Sequence, residues 1–395
     1  MKNYFIKVYT SDGKFLKDWS GIANFGQFSK EVNSGLGQCI IDLGVPFDYQ
    51  GTELAVNNNI EILLSDKDTA TNRYIKIYSG YISLINPYVE GSKEGIQVYL
   101  LGHYTKLSTD ILKTNEVIIH YTDETDGLTI TPSGTEADLG LVIRGIINRY
   151  RIETTNPMIF YGPDSIPLLE IQTLYVFRLM TYREAIDKVF SMLGPNYYWY
   201  INEDNLMRIR PKDPAPVHIF EFKKHFTAVD VKKSMEKVRN NMIVWNGLPE
   251  TEDEIFKGYE HEGSIARYGR RTEIIIDNGI TDESSADAIG QSMLDNNNEP
   301  NISIICEILD NNENDKFGYD IESINPGDTC RFVGFNSTLS EIFKDNMIIT
   351  KIDYRISSVI LTIEPVKSGL IDWQSRINKK VVDFTNANVP DEYDT

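Results

Sequence analysis

Arg239-Asn240-Asn241-Met242-Ile243-Val244-Trp245-Asn246-Gly247, Gly263-Ser264-Ile265-Ala266-Arg267-Tyr268-Gly269-Arg270-Arg271-Thr272-Glu273 and Ile324-Asn325-Pro326-Gly327-Asp328-Thr329-Cys330-Arg331-Phe332 together decide the fold. The first piece reads as a strand that ends in a turn. An acidic loop, Pro249 to Glu254, separates it from the second, which has the form S-x-x-x-Y-G-R-R from Ser264 to Arg271. Thr272 to Ile276 is a strand. Asp282 to Asn298 is a helix with Ala286, Ile289, Met293 and Leu294 as its apolar stripe, ending before Glu299-Pro300. Pro326-Gly327-Asp328 is a tight turn that delivers a strand, with Gly327 at the φ > 0 position of a type II turn. Gly269 and Gly327 are therefore expected to hold backbone positions and not ligands.

Outward from this stretch, residues 1–108 read as all β. Tyr4 to Thr10 and Phe15 to Trp19 flank the hairpin turn Ser11-Asp12-Gly13-Lys14. Alternation places Cys39, Ile41 and Leu43 on one face of a strand. Ile60 to Leu64, Ile75 to Ile85 and Gly95 to Tyr104 add strands, which predicts a small barrel or sandwich.

Residues 109–217 change character. Glu136 to Arg151 carries Leu139, Val142, Ile143, Ile146 and Ile147 at helical spacing. Thr181 with Glu184 forms a capping box before a helix buried through Ala185, Ile186, Val189, Phe190 and Leu193, which Gly194-Pro195 stops. Tyr197 to Arg210 reads as a hairpin, and Pro211 to Pro216 as a linker. Beyond it, Val229 to Met235, Asn301 to Leu309, Asp328 to Gly334, Asn346 to Arg355 and Ser358 to Glu364 are strands, and Asn386 to Thr395 reads as a tail.

At 395 residues, length favours two to three domains of about 150 each. A net charge of −19 argues against a basic nucleic-acid face and against affinity for anionic membranes. Met1 to Tyr9 reads as a strand and not as a secretion signal, and no apolar run reaches 18 residues. Cys39, Cys306 and Cys330 are too sparse for a disulfide framework or a zinc cluster and fit a reducing compartment.

No catalytic, cofactor or metal site is expected. Gly35-Leu36-Gly37 lacks the Lys-Ser or Lys-Thr of a phosphate loop. His218 and His225, seven apart, read as two solvated histidines and not a metal pair. Asp310 to Asp315 lacks the Gly and Glu of a calcium loop. Tyr197-Tyr198-Trp199-Tyr200 reads as core more than as a sugar platform.

The order of the pieces resembles the baseplate hub family of bacteriophage tails: the N-terminal hub module of tail-associated proteins, related to type VI secretion spike hubs. The resemblance rests on an N-x-x-x-V-x-G strand (Asn240 to Gly247), Ser264 with a Y-G-x-R strand entry (Tyr268, Gly269, Arg270, Arg271), an Ala-rich helix, and the strand entry Pro326, Gly327, Asp328. It covers residues 220–366 by motif, and residues 1–108 by style through Phe28 to Gly37. Asn246 and the long acidic loop depart from the pattern.

The resemblance implies a mainly β, multidomain fold with α+β insertions. Its two small β-barrels would form a pseudo-hexameric ring as a homotrimer. The expected units are a first barrel (1–108), a middle domain (109–217), a second barrel (218–248 with 302–366), an insertion (249–301) and a C-terminal extension (367–395). It further implies a non-enzymatic hub at the virion tail tip, assembled in the host cytoplasm. That hub would adapt a sixfold tube to a threefold tip around a DNA channel. Expected partners are further copies of itself, a distal tail ring protein, the C-terminus of a tape-measure protein and separate tip or fibre proteins, without stable nucleic-acid binding or a membrane span. A hexameric distal tail ring and a cell-wall hydrolase component are the alternatives.

Overall fold

The computed structural model describes residues 4–365 apart from 66–73, 113–116, 124–126, 133–136, 155–156, 170–171, 174–176, 178–179, 194–196, 213–214, 250, 311–317, 336–342 and 344–345. The C-terminal extension 367–395, the Gly194-Pro195 helix stop, most of the Asp310–Asp315 loop and the centre of the Pro-rich linker lie outside these residues.

Seven strands open the chain: β1 (Tyr4–Tyr9), β2 (Phe15–Asp18), β3 (Ala23–Glu31), β4 (Leu36–Leu43), β5 (Asn59–Ser65), β6 (Tyr74–Glu90) and β7 (Lys93–Gly102). The middle segment holds β8 (Val117–Asp123), β9 (Gly127–Pro132), β10 (Ala137–Asp138), α1 (Leu139–Glu153), β11 (Gln172–Thr173), α2 (Tyr182–Leu193), β12 (Tyr197–Ile201) and β13 (Met207–Pro211). The remainder is β14 (His218–Glu221), β15 (Val229–Ser234), β16 (Asn241–Trp245), β17 (Phe256–Glu260), α3 (Glu262–Tyr268), β18 (Thr272–Ile276), α4 (Glu283–Asn297), β19 (Asn301–Leu309), β20 (Thr329–Val333), β21 (Met347–Tyr354) and β22 (Ser358–Pro365).

Local chemistry accounts for these elements. Cys39, Ile41 and Leu43 are buried on one face of β4, as a period of two requires. The capping box forms: Glu184 accepts from the Thr181 N–H at 2.7 Å, and the Thr181 hydroxyl accepts from the Glu184 N–H at 3.1 Å. At α1 the cap is Asp138, whose carboxylate accepts from Gly140 and Leu141 N–H. The helix therefore starts three residues later than the Glu136 expected from periodicity.

The tertiary arrangement departs from two closed barrels. Thirteen strands form one sheet, with the path β15-β19-β22-β21-β3-β4-β7-β6-β5-β1-β2, while β14 and β20 join beside β21. No strand path closes on itself among the described residues. The reason is the pairing of β3 with β21, which runs Phe28–Tyr354, Ser29–Asp353, Lys30–Ile352 and Glu31–Lys351. Phe28 and Tyr354 stack with ring centroids 4.9 Å apart across this seam. One hydrophobic core then runs from Ile6 through Phe28 and Tyr354 to Ile363. Each fully buried aromatic of this kind contributes about 1.5–3 kcal/mol by leaving water.

A second core joins segments expected to be separate. Leu139, Val142, Ile146, Ala185, Val189 and Trp199 from the middle segment share a cluster with Val244, Ile280, Ala286 and Ile289. Helices α2 and α4 pack together, and α4 also covers β16 and β17. The middle domain and the 249–301 insertion thus form one body. The strand at Asn241–Trp245, expected in the second barrel, lies in its three-stranded sheet β17-β16-β18. Tyr198, Trp199 and Tyr200 are all buried, which places that aromatic run in the interior.

His103, just after β7, is buried with neither ring nitrogen partnered. Burial, aided by Lys106 and Lys76, lowers its pKa from the ordinary 6.5 to about 3. The unfolded chain therefore binds more protons than the folded one between those values, and stability falls as pH drops through that window. Urea midpoints measured from neutral pH down to pH 4 are expected to fall less steeply in His103→Leu than in the parent.

Candidate functional site

The motif residues form two clusters. The first is built around Asn240, which is fully buried where the chain enters β16. Its amide donates to the Gly269 carbonyl at 2.8 Å and to the Ser264 hydroxyl at 3.1 Å. Its carbonyl oxygen accepts from the Arg271 N–H at 2.7 Å. Ser264 in turn donates to the Asn298 carbonyl at the end of α4, and the backbone carbonyl of Asn240 accepts from the His261 N–H at 3.0 Å. One side chain thereby ties β16, α3, the turn into β18 and the end of α4. Gly269, at φ 74°, makes the reversal between α3 and β18.

Tyr268 and Arg270 flank this node and do not enter it. Tyr268 closes α3 and does not open a strand; its hydroxyl donates to Glu299 at 2.7 Å. Arg270 faces outward and clamps Glu260 with both guanidinium nitrogens, at 2.5 and 3.1 Å. Gly247 lies at the far end of β16 with φ 75°. Beside it, buried Asn246 donates to the Asp253 carbonyl at 2.7 Å and accepts from Leu248 and Ile255 N–H, so it pins the acidic loop.

The second cluster is the Pro326-Gly327-Asp328 turn, on the large sheet. Gly327 has φ 88°, and a Cβ there would stand 2.0 Å from the Tyr198 ring of the other body. The Gly327 N–H donates to the Ile349 carbonyl at 2.7 Å, and the Ile349 N–H donates to the Asp328 carbonyl at 3.0 Å. The Asp328 carboxylate accepts from the Asn325 N–H at 2.8 Å and lies 3.0 Å from His218 Nε2. His218 Nδ1 is 2.9 Å from the Tyr319 hydroxyl.

His218 is thus buried and partnered, contrary to the solvated histidine expected from sequence. The signal was available: in β14 Ile219 is exposed and Phe220 buried, so a period of two puts His218 on the inner side. His225 is half-buried, its Nδ1 accepting from the Glu221 N–H.

In both clusters the polar side chains bond backbone groups or one another: Asn240 holds the backbone around β16, and His218 lies between Tyr319 and Asp328. The three thiols are buried and form no disulfide; burial pushes Cys306 up to about 12 and raises Cys39 and Cys330 as well. Among the described residues no group of three or more His, Cys, Asp or Glu side chains lies together in a way that would hold a metal. Nor is any helix long and apolar enough to cross a membrane.

No family profile matches the sequence, and no curated protein matches it. The likeness is in the backbone. The 43 kDa tail protein of prophage MuSo2 from Shewanella oneidensis superposes with a TM-score of 0.58 at 11% identity, over 93% of this chain and 99% of that one. This is the fold of phage tail proteins. The tail protein from Neisseria meningitidis MC58 gives 0.57 at 8% identity, over 93% and 97% of the two chains. The prophage tail protein gp18 from Listeria monocytogenes EGD-e gives 0.51 at 10% identity, over 95% and 98%. The tail-protein fold therefore accounts for nearly the whole chain, including the body between the two strand groups. The hub-like resemblance seen in the motifs agrees with it.

Two variants test these roles. Asn240→Ala leaves the Arg271 N–H and the Gly269 carbonyl unpartnered in a dry site, and is expected to cost about 3 kcal/mol in urea unfolding. Gly327→Val combines positive-φ strain with the Tyr198 contact, and a loss of about 3 kcal/mol or more is expected. A neutral result for either would show that the residue does not hold the backbone as described.

Proposed function

We propose that this chain is a structural baseplate hub protein of a phage tail tip. It is a homotrimer that adapts a sixfold tail tube to a threefold tip and encloses the channel through which DNA leaves. The observation that carries this reading is the succession of strands on either side of the β3–β21 seam. On one side antiparallel strands run β3, β4, β7, β6; on the other they run β21, β22, β19, β15. Each side begins with a hairpin at the seam and continues through two further antiparallel strands.

Two like modules per subunit are what a threefold assembly needs to meet a sixfold tube, because three subunits then present six modules around one axis. The tail-protein fold supports the same reading, as does the net charge of −19, since acidic walls repel the phosphates of passing DNA. In this role the Asn240 node and the Pro326–Asp328 turn, with its motif residues, serve the framework. Partners would be other copies of the chain, the distal ring above, the tape-measure C-terminus in the channel, and separate tip or fibre proteins. The chain would act without catalysis, at the tail tip of the virion.

A closed ring needs each pair of subunits to bury more than about 1,000 Å². Light scattering of the purified chain at moderate salt is expected to give three times 45.1 kDa. Electron microscopy of the particle is expected to show three copies with six strand modules about the axis. Six whole chains on a true sixfold axis would replace this reading with the distal ring. Release of sugars or peptides from peptidoglycan by the chain alone would replace it with a hydrolase.

A further inference from the structure

We propose that the outer face of the sheet β17-β16-β18 docks a segment of another tail protein, one that presents an apolar strip flanked by Lys or Arg. The inner face of this sheet is covered by α4, as the burial of Met242 and Val244 requires. The outer face is apolar, and no described residue covers it. Its rows follow from register: Phe256, Trp245 and Ile276 stand side by side, then Gly258, Ile243 and Ile274, then Glu260, Asn241 and Thr272. Phe256, Ile274 and Ile276 are 62%, 59% and 61% exposed, and Leu248 just past β16 is 44% exposed. β-Branched and aromatic side chains at exposed positions of both edge strands are the opposite of how a solvated sheet face is normally kept polar. The bare apolar area is on the order of 500 Å², at the size where exposed patches mark a binding site.

Charge around the rim identifies the occupant. At the Asn241 end, Arg270 clamps Glu260 and Arg239 lies 3.5 Å from Glu273, so that end is neutralised. At the Trp245 end stands the acidic loop. Glu254 accepts from the Trp245 indole at 3.2 Å, and Glu252 and Asp253 are exposed with no cation beside them among the described residues. The face is thus an apolar strip with an anionic lip at Glu252 and Asp253, which a cationic flank on the partner complements. A second copy does not fit. The same face on a second copy carries the same acidic lip, and its other rim is already neutralised, so the face does not pair with itself. The area also matches a segment better than the seam between two whole subunits, where about 800 Å² per partner is usual. The identity of the partner as a tail protein rests on the function proposed above; the face and its lip do not.

The test uses the full chain and overlapping 15-residue peptides that span the other tail proteins encoded with it. Each apolar peptide with basic flanks is paired with a version in which Lys and Arg become Glu. Binding is read by fluorescence polarisation and by Trp245 emission. Basic-flanked peptides are expected to bind and their acidic versions not. Ile276→Lys should weaken binding about tenfold or more. Glu252→Lys with Asp253→Lys should weaken it and flatten its salt dependence. Should Ile276→Lys fail to fold, Ile274→Thr keeps the β-branched shape and should still weaken binding severalfold.

The proposal is overturned if no basic-flanked peptide binds, if acidic versions bind equally, or if the face variants bind as the parent does. It is also overturned if those variants change the mass of the chain's own assembly, which would make a second copy the occupant. The symmetry of the parent particle is read separately from all of these, so failure here stays distinct from failure of the hub reading.

Discussion

Four residue pairs between β3 and β21 hold the architecture together. They bring Phe28–Glu31 against Lys351–Tyr354, positions more than 300 apart in the chain. Without that ladder the two strand groups would be separate small sheets, each with a bare edge and half a core. With it, one core is continuous from Ile6 to Ile363. The entropy of closing so long a loop grows only slowly with its length, so the stacked Phe28–Tyr354 pair and the shared burial outweigh it. The kinetic consequence is larger: contacts this distant form late and slow the folding of β-rich chains.

Everything between the two halves is organised by that closure. The helices and the three-stranded sheet share their own core, and close contacts join them to the large sheet. The turn between β3 and β4 is one: the Asn33 N–H donates to the Trp199 carbonyl at 2.6 Å, and the Ile201 N–H donates to Ser34 at 3.1 Å. Gly327 against Tyr198 is another. Buried polar groups serve the same end. Asn240, placed where four segments meet, satisfies groups that would otherwise be orphaned, and such a network specifies one arrangement of the chain over its competitors.

Much of the local structure was legible before any coordinates. The capping box at Thr181 and Glu184, the stripe on α4, the alternation in β4 and the Pro-Gly turn at 326–327 each depend on neighbours within a few residues. Their physics is therefore written in the sequence itself. The motif order from Asn240 to Asp328 also pointed correctly to the tail-protein fold. Residue type alone makes His218 a solvated histidine; the alternation of β14, which carries it, turns it inward beside Phe220. The convergence of Asn240, Ser264, Gly269 and Arg271 was visible as a motif, but its reason was not, since hydrogen bonds across 31 residues have no local signature.

By itself the sequence determined many of the strands, the helices α1, α2 and α4, the positive φ of Gly327, the acidic charge and the mainly β class of fold, because each follows from short-range sterics, periodicity or simple counting. Only the tertiary structure decided that the halves merge through β3 and β21, that residues 109–217 and 249–301 share one core, and that β16 belongs with the second body. Those outcomes turn on which apolar face meets which. Many faces in this chain are equally apolar, so shape and register select among them, and both exist only once the chain is folded.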